Sequence, residues 1–226
     1  MQQGLTAERI ERRLTTPRAA GIAGILFALL FGASLILLRL ALPETLLDKV
    51  SWTEQQVKSV ALATTMTPFA GITFLWFLGV IRDRLGDLED RFFATVLSGS
   101  GLLFVAMIFV ASGLAASTIS TLQSVTVGQS SEMVLFTRAL MYQMLNIYAI
   151  RMAGVFMISL GTVWMRTRVM PLPLAIATLA IALMLLTIIS FSLWIVLVFP
   201  AWVFTISVYV LSQALRRPTG NPRTVL

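Results

Sequence analysis

The sequence predicts an all-α fold: a polytopic membrane helical bundle of six transmembrane helices with both termini cytoplasmic. Three observations carry this. Apolar residues make up 58% of the chain against 12% charged, with a mean hydropathy of +0.89, outside the range of soluble globular domains. Several apolar runs reach the roughly 20 residues that a helix needs to cross a bilayer core. The arginines gather at the ends of those runs, where topology and lipid headgroups place them.

The composition excludes much chemistry. The chain has no cysteine and no histidine. Disulfides, thiolate nucleophiles, His-ligated zinc or haem and histidine proton relays are therefore ruled out, and no cofactor or metal is expected. The formal charge of +7 is not a nucleic-acid signature, because its carriers flank apolar segments; the partner it implies is the lipid bilayer. Arginine outnumbers lysine 15 to 2, the bias of a GC-rich bacterial genome, and the expected location is a bacterial plasma membrane.

Residues 1–16 read as a cytoplasmic basic tail carrying Arg9, Arg12 and Arg13, with Thr6 able to cap a short helix. Thr16-Pro17 reads as N-cap and first helical residue of span 1, about 18–42, an uncleaved signal-anchor. Ala20, Gly24, Ala28 and Gly32 recur every fourth residue and form a small-residue stripe suited to close helix packing, in the same chain or in another copy. Beyond Pro43, Ser51-Trp52-Thr53-Glu54 reads as a capping box, and Glu54 and Lys58 stand four apart on the helix it opens.

Span 2, about 60–81, contains Pro68 among Thr64, Thr65, Thr67 and Thr73. Proline removes a backbone hydrogen bond, so Pro68 is a candidate kink whose freed carbonyl the threonines are placed to satisfy. The charged turn 82–91 has Gly86 as a helix-ending cap and Asp87 as an opening one. Span 3, about 92–116, carries the small packing run Ser98-Gly99-Ser100-Gly101, and the uncharged Ser/Thr-rich stretch 117–130 reads as an exposed loop.

Ser131 to Arg168 reads as one long helix, opened with Glu132 at its positive end and containing span 4, about 142–166. Pro171 and Pro173 end it. The apolar run that follows, to Arg216, is too long for one span and divides into spans 5 and 6, about 172–190 and 193–213, turning near Ser190 to Ser192. Pro200 near the middle of span 6 is a second candidate kink. The six-span domain is thus 17–215, followed by a disordered cytoplasmic tail, 216–226.

Six spans put twelve arginines on the side of the termini, against Lys49, Lys58 and Arg138 on the other. That bias sets both termini in the cytoplasm. No aspartate or glutamate lies inside any proposed span, so carboxylate relays, carboxylate-bound sodium sites and intramembrane acid–base catalysis lack their usual members. The chain reads as no enzyme.

Arg151 is the odd residue. It precedes Arg166 by 15 residues, about 22 Å at a rise of 1.5 Å per residue, which sets it in the outer leaflet. Its guanidinium either snorkels outward or faces a cavity that holds an anionic group. On an uninterrupted helix Tyr148 shares its side and Asn146 points elsewhere. Arg39 sits at the outer boundary, within reach of Glu44, Asp48 or Glu132. Together Arg151, Arg39, Tyr148 and Asn146 form the candidate polar site. The leading expectation is a non-enzymatic protein that acts through helix packing with a second copy or a partner complex. The rival is a channel or transporter with a path near Arg151 and the kinked spans 2 and 6.

Overall fold

The computed structural model describes residues 2–42, 53–85, 91–124, 130–187 and 193–216, and all regular structure among them is helical. The elements are α1 (Gln2–Ala41), α2 (Glu54–Leu85), α3 (Arg91–Ser124), α4 (Ser130–Gln143), a π turn (Met144–Ala149), α5 (Ile150–Thr167), α6 (Leu172–Thr187), α7 (Leu193–Val196) and α8 (Val198–Arg216). Among the described residues five segments are long and apolar enough to cross a membrane: Arg18–Ala41, Glu54–Asp83, Phe92–Thr121, Glu132–Thr167 and Trp194–Leu215. The protein is a multi-span α-helical membrane bundle. Where a fifth of six spans was expected, α6 is an apolar helix of 16 residues, shorter than these five.

Local chemistry explains where the elements depart from expectation. Helix α1 runs through Thr16 and Pro17 without a break, so Thr16 does not open it. The capping box of α2 lies two residues further on than expected. Thr53 Oγ1 accepts from the Gln56 backbone N–H at 3.3 Å, and Gln56 Oε1 accepts from the Thr53 backbone N–H at 2.9 Å. Both Ser51-x-x-Glu54 and Thr53-x-x-Gln56 fit the box; the second leaves Glu54 in the first turn, where it pairs with Lys58.

Helix α3 extends to Ser124 and absorbs most of the expected loop. The hydroxyls of Ser117 and Thr118 donate to the Leu114 carbonyl, and that of Thr121 donates to Ser117 O, so the polar residues are satisfied inside the helix. Gly86, Asp87, the Ser190–Ser192 turn and the tail beyond Arg216 lie outside the described residues.

The prolines act differently from each other. Pro68 lies inside an unbroken α2. Pro200 is the third residue of α8 rather than mid-span, and its effect falls one turn earlier. Helix α7 stops at Val196, the carbonyl Pro200 has no N–H to serve, and Leu197 turns with a 3.2 Å bond to Trp194 O. The ladder resumes with Ala201 N–H donating to Leu197 O.

Helix α1 packs along α2 and α8, α3 along α2, α4 and α5, and α6 along α5. Phe27, Phe74, Phe104, Phe156 and Phe199, one each from α1, α2, α3, α5 and α8, are at most 1% exposed and meet at the centre. Centroids lie 4.7 Å apart for Phe104–Phe199 and 4.9 Å for Phe27–Phe74, with tilted or edge-on rings throughout. Such pairs contribute about 0.5–1.5 kcal/mol each beyond their buried area.

The small-residue stripe finds its neighbours within the chain. Ala20, Gly24 and Ala28 are buried, and Gly24 abuts Ser207 of α8 and Phe77 of α2. Gly21, one residue off the stripe, is held close to Leu211. Gly32 is half-buried, with open space where a Cβ would stand. Among the described residues, hydroxyl contacts tie helices together: Ser34 to Ala63 O and Thr67 (α1–α2), Ser112 to Thr64 O (α3–α2), and the Trp202 indole to Thr178 Oγ1 (α8–α6).

Candidate functional site

The long helix from Ser130 to Thr167 changes register midway. Over Met144–Ala149 it opens into a π turn, and the Ile150 N–H reaches back five residues to Leu145 O. A π turn widens the helix and inserts one residue. Side chains then fill the altered hydrogen-bond pattern: Asn146 Nδ2 donates to Tyr142 O at 3.1 Å, and Arg151 Nη1 donates to Ile147 O at 3.3 Å.

The residues expected to form the polar site lie in different surroundings. Asn146 is buried, 3% exposed, and its Oδ1 accepts no hydrogen bond. Tyr148 is exposed and Arg151 half-buried, and the guanidinium is drawn back along the helix toward Ile147, away from the core that Ala153, Phe156 and Leu160 build. Arg39 stands elsewhere, over the Trp194 ring at 5.6 Å. The four residues therefore do not form one cluster.

Sequence reasoning missed Arg138, which it counted simply as an outer-side charge. Arg138, Tyr142 and Asn146 are each at most 3% exposed and follow one another every four residues along α4 and the π turn, which pack on α3. The signal was present as polar residues at i, i+4 and i+8 in an apolar run. The anomaly of Arg151 drew the reading away from it.

Around Pro68 the geometry is equally specific. Proline at position 68 leaves the Thr64 carbonyl without its helical donor, and Ser112 Oγ of α3 donates to that oxygen at 3.4 Å. The threonines serve other carbonyls: Thr64 and Thr65 bond Ala61 O, Thr67 bonds Ala63 O and Thr73 bonds Phe69 O. An open groove of about 330 Å³ lies here, lined by Thr64, Thr65, Pro68, Phe109, Ser112 and Gly113 among others. It faces outward, since Pro68 is exposed.

No family model, curated protein or solved structure matches the chain. Among the described residues no group of three or more carboxylates, histidines or cysteines is placed to hold a metal ion, and the chain carries no catalytic motif.

Proposed function

We propose that this is a non-enzymatic, six-span protein of a bacterial plasma membrane with cytoplasmic termini, acting through helix packing with a second copy or with a membrane-protein partner. The observation that carries the reading is the centre of the bundle. Five phenylalanines close it, and a path through the bundle near Arg151 and spans 2 and 6 would have to pass rings from α2 and α8 themselves. Arg151 and Pro68, the polar and kinked features of that rival path, lie half-buried and exposed. In this reading α6 is the fifth span and brings the number to six, which keeps both arginine-rich termini on one side.

The absence of native cysteine makes topology directly testable. Lys58→Cys, at an exposed position on the outer side, should react with a membrane-impermeant thiol reagent added outside intact cells, and Arg18→Cys only after permeabilisation. The reverse pattern overturns the orientation. Liposomes containing the purified protein should stay tight to potassium and to small anions; protein-dependent flux would replace packing by transport.

A further inference from the structure

At the end of the bundle that carries Arg18, Arg82 and Arg168, a cleft of about 430 Å³ opens between α1, α2, α5 and α8. That volume lies in the range of small-molecule sites. Phe77, Ile81, Met170, Ile206 and Val210 give it apolar walls. Gln213 Nε2 donates to the Tyr209 hydroxyl at 3.1 Å toward its arginine-rich mouth. Ser207 lies six residues deeper along α8, about 9 Å, and its fully buried hydroxyl makes no hydrogen bond.

Three arginines stand next to the lining in sequence at this end. Arg18 precedes the lining residue Gly21 by three positions, Arg82 follows Ile81 and Arg168 precedes Val169. All three are exposed and form no ion pair with a described residue, and Asp83 is the single carboxylate whose side chain is described at this end. The αL backbone of Arg168 (φ 52°), capped by its N–H to Trp164 O, turns the chain so that Val169 and Met170 line the wall below it.

We infer that this cleft binds one anionic phospholipid, its phosphate among Arg18, Arg82 and Arg168 and the upper part of a chain against the apolar walls. A basic pocket between spans at the membrane surface suits that chemistry. A zwitterionic lipid offers the arginines no net charge, and a soluble anion has no use for the walls.

The test is native mass spectrometry of the full chain, delipidated in detergent, with phosphatidylglycerol or phosphatidylcholine of identical chains. One phosphatidylglycerol should be retained in preference to phosphatidylcholine. Arg18→Gln with Arg168→Gln, exposed positions that leave the packing intact, should cut that preference by about fivefold per arginine. Ala214→Trp, which fills the mouth, should abolish the adduct while the melting temperature holds. The inference is overturned if Ala214→Trp keeps the adduct, if the arginine variant keeps the preference, or if inorganic phosphate at millimolar concentration displaces the lipid.

Discussion

Gly24 and Gly32 carry the same residue type on the same face of α1, two turns apart, yet alanine should move stability in opposite directions. A Cβ at Gly24 would overlap Ser207 Oγ and stand 2.9 Å from Phe77 Cδ2, whereas at Gly32 it would meet nothing within 4 Å. Alanine in place of glycine gains about 1 kcal/mol in helix propensity, and overpacking a fitted site costs about 1–3 kcal/mol. Because the Ser207 hydroxyl and the buried Phe77 ring must both yield, the upper figure applies at position 24. The net expectation is a loss of about 2 kcal/mol for Gly24→Ala and a gain of up to about 1 kcal/mol for Gly32→Ala. For a chain of this size these are shifts of about 4–8 °C down and about 2–4 °C up. Thermal melts in detergent, followed by the tryptophan fluorescence, read both. Adding Ser207→Ala to Gly24→Ala should return part of the loss. A Gly24→Ala protein that melts at or above wild type refutes the intrachain packing argued for the stripe. A destabilised Gly32→Ala protein shows that a second copy occupies the open space there.

Other expectations follow from single contacts. Ser112→Ala should cost about 0.6 kcal/mol, the average for such bonds in membranes, but nothing in a Pro68→Ala background, where a restored N–H takes the Thr64 carbonyl; equal costs in a double-mutant cycle would remove Ser112 from that role. Phe199→Ala should cost about 3–5 kcal/mol, since its ring meets Phe27, Phe74, Phe104, Phe156 and Trp202; a melt within about 2 °C of wild type would deny the cluster its place in the core. Thr178→Val should cost about 1–2 kcal/mol by leaving the buried Trp202 indole N–H without its acceptor, with a blue-shifted tryptophan emission as the spectroscopic check. An unchanged melt and spectrum would mean the indole finds another partner.

The apolar spans were legible because their signal is length, which depends on no neighbour. Caps were legible only to within a choice: Ser51 and Thr53 each open a box, and the favourable placement of Glu54 beside Lys58 selects the second. The loop expected after span 3 failed because serine and threonine serve a helix as readily as a turn when each hydroxyl finds a carbonyl one turn back. The phenylalanine cluster was not legible. Each ring is one apolar residue in an apolar run, and only tertiary packing distinguishes Phe27 at 0% exposure from Phe69 at 59%. Asn146 and Arg151 were assigned to one site by residue type, and no residue in Met144–Ala149 announces a π turn.

That turn makes the longest helix a ratchet set one tooth off. Its two halves are indexed separately, so the helix tolerates a change of count as well as of kind. Deleting one residue within 144–149 would close the register to α. Relative to α5, the segment carrying Arg138 and Tyr142 would then rotate by about 100° and shift by about 1.5 Å. Arg138 would swing off α3, taking its charge out of the bundle. The burial of that arginine is thus held in place by one surplus residue.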